Sequence, residues 1–279
     1  MEKTVLNLET VTPMFLHGES SQKLELRPPP FKALFRYWWR AAVGETDGDT
    51  LRNEESDLFG GQKKRSPLLI RVSRYPSLST NKYAPLPHKP QAFQRQAYCP
   101  DGNFSLTLTS PQISPYKQIA KIGFLLGGVG NRSRRGYGSI RYQSWQFQCV
   151  SELKQKVYKT LDRISPGRFQ LCTHQPKIQV GPTITLPDYP VIKGVFFGQK
   201  CDDVDHLLYK IGKVTSSQKA SGNDAVGSAD PRMASPIHVR IQKVDDEYVP
   251  VVTQLHSVFP STVSKYKTKQ LDFITAIIT

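Results

Sequence analysis

Leu6 and Leu8 alternate with Asn7 and Glu9 until Pro13 interrupts the run, and this period-two pattern predicts a first strand over residues 5–15. After Pro28-Pro29-Pro30, whose last proline suits a first helical turn, residues 31–43 predict a helix that stops at Gly44. Residues 44–56 are acidic and read as a loop. Strand patterns at 67–73 and 104–109 flank a proline-rich stretch, 75–100. Ile119, Ile122 and Leu126 then recur at helical spacing within 116–126, and 138–147 predicts another strand. The order strand, helix, strand, strand, helix, strand is the split βαβ, ferredoxin-like arrangement, an antiparallel sheet with helices on one face and a common RNA-binding scaffold.

A helix over 151–164, with Leu153, Val157, Leu161 and Ile164 on one side, opens a second unit. Strands follow near 178–185 and 191–197, then a helix over 204–213. In a hairpin, Ile237, Val239 and Ile241 alternate with His238, Arg240 and Gln242; residues 245–247 turn the chain into 248–259, and a helix over 263–277 ends it. The predicted fold class is α+β: two ferredoxin-like (RRM-like) subdomains with antiparallel sheets, residues 1–150 and 151–279. The Ser/Gly/Ala-rich stretch 214–232 is too long for a simple connector and predicts a binding or clamping loop.

Charge sharpens this picture. Over 279 residues, 38 Lys and Arg against 23 Asp and Glu leave +15, and residues 58–150 hold 14 of the bases and only one acid, Asp101. So one-signed a run points to a polyanion, first of all nucleic acid. The four cysteines stand far apart without zinc-site spacing, and no apolar run is long enough to span a membrane. The expectation is a cytoplasmic protein with no metal, no cofactor, no membrane partner and no small-molecule substrate.

Three segments carry candidate chemistry. The first is GGVGNRSRRGYG, residues 127–138: glycines such as Gly128 and Gly130 free the backbone N–H groups, Asn131 and Ser133 add polar side chains, and Arg132, Arg134 and Arg135 supply forked donors for phosphate, with Tyr137 as a stacking ring. It is neither a Walker loop nor a dinucleotide fingerprint. In the second, FKALFRYWWRA at 31–41, Lys32, Arg36 and Arg40 form a basic stripe opposite an apolar face, with the aromatics read chiefly as core. In the third, RMASPIHVRI at 232–241, Arg232 stands at a loop end, and His238 and Arg240 share a strand face able to meet an RNA backbone. The acids Asp202, Asp203 and Asp205 suit a helix start. His17 is a usable general acid or base, but spacing identifies no partner for it, and no catalytic residue is assigned.

These segments, together with LETVTPMFLHG at 8–18 and DLFGG at 57–61, resemble the RAMP proteins of CRISPR systems, and within them the first RAMP subunit of the type III-B Cmr effector complex. The resemblance implies two RRM-type subdomains in a ribonucleoprotein, with CRISPR RNA, target RNA and other Cmr RAMP subunits as partners. It also implies a position near the 3′ end of the guide and a binding, non-catalytic role in target capture. Two alternatives stand beside it: a metal-independent endoribonuclease that matures CRISPR RNA through His17 or another histidine, and a purely structural subunit docking through the loop at 75–100.

Overall fold

The computed structural model describes residues 1–20, 23–89, 91–220, 226–227, 233–257 and 269–279. Its first sheet is built from β1 (Glu2–Thr10), β2 (Leu69–Arg74), β5 (Asn103–Ser110) and β6 (Ile140–Tyr142), in the antiparallel order β2-β5-β1-β6. With α1 (Pro28–Val43) after β1 and α3 (Ser114–Leu126) after β5, this is the split βαβ order that the sequence pattern implies. Leu6, Leu8, Phe104, Leu106 and Leu108 point inward, as period-two alternation requires.

Three local expectations change. The acidic segment forms a helix, α2 (Gly48–Phe59): the Asp47 side chain accepts from the Thr50 amide as its N-cap, and Leu51, Glu55 and Phe59 share its buried face. The proline-rich stretch contains a two-stranded hairpin of β3 (Thr80–Tyr83) and β4 (Arg95–Tyr98). The strand expected over 138–147 shortens to the three residues of β6: Gly138 is tied to Pro13 O in the loop before it, and after it the Trp145 amide donates back to Tyr142 O in a turn.

After α4 (Val150–Ile164), a second antiparallel sheet runs β10-β11-β9-β8-β7, from β7 (Phe169–Leu171), β8 (Lys177–Val180), β9 (Val191–Phe197), β10 (Ile237–Val244) and β11 (Glu247–His256). Here β9, α5 (Val204–Ala220), β10, β11 and α6 (Lys269–Ile278) follow the split βαβ path. The place of the closing strand is taken by β8, which precedes the unit in sequence. Asp245 and Asp246, both with positive φ, make the tight turn between β10 and β11.

The sheets stack with helices in alternate layers. α1, α3 and α4 lie between them, α1 touching β2 and β9, α3 touching β6, β10 and β11; α5 and α6 pack on the far side of the second sheet. The first sheet is thus covered on one face, while the second is buried on both along β10 and β11. One apolar cluster runs from Leu6 through α1 and α3 to Leu255. Among the described residues no helix is long and apolar enough to cross a membrane.

Candidate nucleic-acid interface

Helix α1 starts at Pro28 and ends where Gly44, at φ 59°, turns left-handed and donates its amide to Arg40 O. Phe31, Leu34, Phe35, Trp38 and Trp39 are buried, Trp39 edge-on to Phe59 of α2, so these rings are core. Lys32, Arg36 and Arg40 lie on the opposite stripe and are partly exposed. The stripe is not a row of free cations, however. Glu55, buried on α2, accepts from the Arg36 Nε and lies with the same Oε1 3.5 Å from the Arg40 Nε, while both arginines keep 43% of their side chains in solvent.

The glycine-rich loop is stitched into the fold rather than flexible. Gly130 has φ 83° and an added Cβ would fall 2.4 Å from Phe15 O; Gly138 has φ 63° and its Cβ would fall 1.9 Å from Val129 O. No other residue fits either place. The amides of Val129, Asn131, Gly136 and Gly138 donate to Gly138 O, Phe15 O, Val239 O and Pro13 O. At the tip the amides of Gly130, Arg132, Ser133 and Arg134 find no acceptor among the described residues, and at the base of the loop neither do those of Gly128 and the buried Tyr137. The expectation of a generally open backbone therefore narrows to residues 130–134, where Asn131 is exposed and Arg132, Ser133 and Arg134 are half-buried; Gly128 packs against Tyr137 and Gly138.

Arg135 turns inward. It is 7% exposed, its Nη1 donates to Arg134 O and Ile237 O and its Nη2 to Val226 O and Ser235 Oγ, all within 3.0 Å, and its guanidinium stands 5.3 Å over the Phe273 ring. Burial first, then Arg132 and Arg134, push its pKa down to about 9. Tyr137 is buried against Phe15 and donates to Ala84 O at 2.7 Å, so its ring is no platform for a base.

The third segment differs most from expectation. Alternation along β10 holds, but its second face is covered by α1 and α3 instead of by solvent. Arg240, 1% exposed, donates from Nε to Phe124 O at 3.0 Å and from Nη2 to Ile140 O; Gln242 Nε2 donates to Phe124 O and Leu125 O. Together they satisfy the last carbonyls of α3, where a cation is favoured by the helix dipole. His238, 7% exposed, stacks on Tyr37 at 5.4 Å and meets Trp38 edge-on, with its Nε2 3.2 Å from the Tyr37 hydroxyl. Burial, with Arg134 and Arg135 nearby, holds its pKa well below 6.5. Neither side chain reaches a surface ligand. Arg232 lies outside the described residues.

What the structure does bring together is α1 and the tip of the loop. Tyr37 of α1 meets His238 of β10 through its hydroxyl at 3.2 Å, and the next residue, Val239, donates its amide to Arg134 O, so a strip runs Lys32–Arg36–Arg40 past Tyr37 to Arg134, whose Nη1 is anchored on Ser235 O at 2.8 Å; burial raises the pKa of the Tyr37 hydroxyl, against Arg134 and Arg40. Other bases of the long positive run serve elsewhere: Arg141 pairs with Glu9 at 3.0 Å, Lys64 with Asp57, and Arg74 donates to Leu78 O. The open face of the first sheet shows Val5, Asn7, Arg71 and Thr107 and no aromatic ring, so base stacking there has no platform. His17 lies beside Arg95, and burial followed by that charge lowers its pKa. Sequence reasoning missed Arg52, Glu55 and Tyr189 beside the strip; the signal for the first two was the cap at Asp47 followed by Leu51, Glu55 and Phe59 at helical spacing.

Comparison with known proteins agrees with this fold. Residues 7–141 match the family model of the RAMP superfamily. The chain is 27% identical over 173 residues to the CRISPR system Cmr subunit Cmr1-1 of Pyrococcus furiosus, covering half of each, and 28% identical over 75 residues to Cmr1-2 of the same organism, covering 26% of this chain and 40% of that one. The matched stretches thus span about half, or less, of the curated relatives. In fold, the crystal structure of apo Cmr1 from P. furiosus matches with a TM-score of 0.68 at 18% identity, over 99% of this chain and 96% of the other. A chain in the cryo-EM structure of the type III-B Cmr-beta bound to cognate target RNA matches with a TM-score of 0.63 at 12% identity, over 99% of both. Just under half of the chain, residues 7–141, is thus similar to the RAMP superfamily, and the chain as a whole has the fold of the Cmr1 structure.

Proposed function

We propose that the chain is an RNA-binding, non-catalytic subunit of a type III-B CRISPR ribonucleoprotein, built of two subdomains meeting near residue 150. Its partners are CRISPR RNA, target RNA and other Cmr RAMP subunits, and it sits near the 3′ end of the guide to assist capture of the target. The observation that carries this reading is the joining of α1's basic stripe to the loop tip, where Arg132 and Arg134 stand beside amides that have no acceptor among the described residues. Such a strip follows a sugar-phosphate backbone by charge and shape, leaving sequence recognition to base pairing by the guide.

Each lost phosphate contact on a single strand flattens the slope of log affinity against log salt by about 0.7. The double variant Arg132→Ala, Arg134→Ala should bind single-stranded RNA more weakly and with a slope lower by about 1.4, read by fluorescence anisotropy at several salt concentrations. An unchanged slope would remove the strip from the interface. Incubation of the purified chain with CRISPR repeat RNA tests the enzymatic alternative: specific cuts that disappear in His17→Ala would contradict a non-catalytic role.

A further inference from the structure

Beside the strip, a cavity of 420 Å³ opens between α1, α2 and the loop that leads into β9, lined among others by Tyr37, Arg40, Arg52, Glu55, Tyr189 and Pro190. Its volume lies in the range of small-ligand sites. Its chemistry is mixed in a particular way. Glu55 spends Oε1 on Arg36 and Arg40, and its Oε2 takes no hydrogen bond from any described residue. A carboxylate can only accept, so the cavity asks for a donor there. Tyr189 is fixed at the wall by its hydroxyl, which donates to Glu45 O at 2.9 Å, leaving the ring and Pro190 as an apolar flank. Arg40 and Arg52 supply positive charge; the contact of Arg52 with Asp49, 2.7 Å between largely exposed side chains, is of the weak kind that a phosphate can displace.

We propose that this cavity seats one guanine nucleotide of the bound RNA strand: the base against Tyr189 and Pro190, its N1–H and N2–H₂ donors turned to the free oxygen of Glu55, and its phosphate toward Arg40 and Arg52. Guanine is the base whose Watson–Crick edge offers two adjacent donors to one carboxylate; uracil offers a single donor between two carbonyls that the carboxylate repels. The site rests on the RNA-binding reading, because Arg40 and Tyr37 belong both to its wall and to the basic strip.

The test compares, on the intact chain, an oligouridylate carrying a single guanosine with the all-uridine strand of equal length. Two donors meeting one carboxylate oxygen predict roughly tenfold tighter binding of the guanosine strand. Glu55→Gln should bring the two strands within about twofold of each other, and Tyr189→Ala, which leaves the Glu55 ion pairs in place, should do the same, whereas Tyr189→Phe keeps the preference. Circular dichroism of each variant establishes that it is folded. Equal affinity of the two strands for the unmodified chain overturns the guanine site while leaving RNA binding intact, as does a preference that survives both Glu55→Gln and Tyr189→Ala. Free 5′-GMP competing as well as the guanosine strand overturns placement within a bound strand. Failure of both strands to bind overturns the RNA-binding reading itself.

Discussion

Arg134 and Arg135 follow one another in the chain, and the backbone at the loop tip sends one guanidinium to the rim beside Tyr37 and the other among carbonyls at the entry to β10. Their substitutions should separate accordingly. Arg135→Met leaves buried acceptors without donors and should cost about 2–4 kcal/mol of stability in urea unfolding, while the salt slope of RNA binding by the folded protein stays as it was. His238 gives the residue scale a pH signature. In the unfolded chain its imidazole takes up a proton near pH 6.5, and in the fold only well below that. Between those values the unfolded state binds more protons, so stability is full above about pH 6.5 and falls with decreasing pH by up to ~1.4 kcal/mol per pH unit. The difference in unfolding free energy between pH 7.5 and pH 5.5 should shrink in His238→Phe; an equal difference in both proteins would show that other groups carry it.

At the scale of elements, α2 does more than its acidic composition suggests. It brings Glu55 under the α1 stripe, and its start depends on one hydrogen bond from the Thr50 amide to Asp47. Asp47→Ala should therefore lower stability and loosen the Arg36–Glu55–Arg40 group, seen as faster amide hydrogen exchange across 48–59 than elsewhere. The α3 terminus shows the reverse relation: Arg240 and Gln242, distant in sequence, cap it from the neighbouring sheet. The glycine loop owes its composition to close approach at Gly130 and Gly138, so its five glycines say as much about packing against residues 13–15 as about a ligand.

For the whole molecule, the layers of sheet, helices, sheet, helices mean that the second sheet needs α1 and α3 as its cover. Residues 151–279 expressed alone would expose the apolar and polar side chains of β9, β10 and β11 that now meet those helices. They should show no cooperative thermal transition, whereas the full chain should unfold cooperatively; a sharp transition in the fragment would mean that the second unit closes its own core.

Much of this was written along the chain. Period-two and helical spacing located β1, α1, β5, α3, α4, β9 and the β10–β11 hairpin, and turn residues such as Asp245 and Asp246 and stops such as Gly44 set their ends, because these features depend on near neighbours. The glycine-arginine loop and the α1 stripe were visible for the same reason. Tertiary structure alone decided which cations stay at the surface. Alternation in a strand divides its side chains between two faces but does not say whether the second face meets water, and on β10 it meets α1 and α3, so His238 and Arg240 became supports. Likewise a run of positive charge fixes a sum, whereas where each charge ends depends on which carbonyls, carboxylates and rings the fold carries to it from far along the chain.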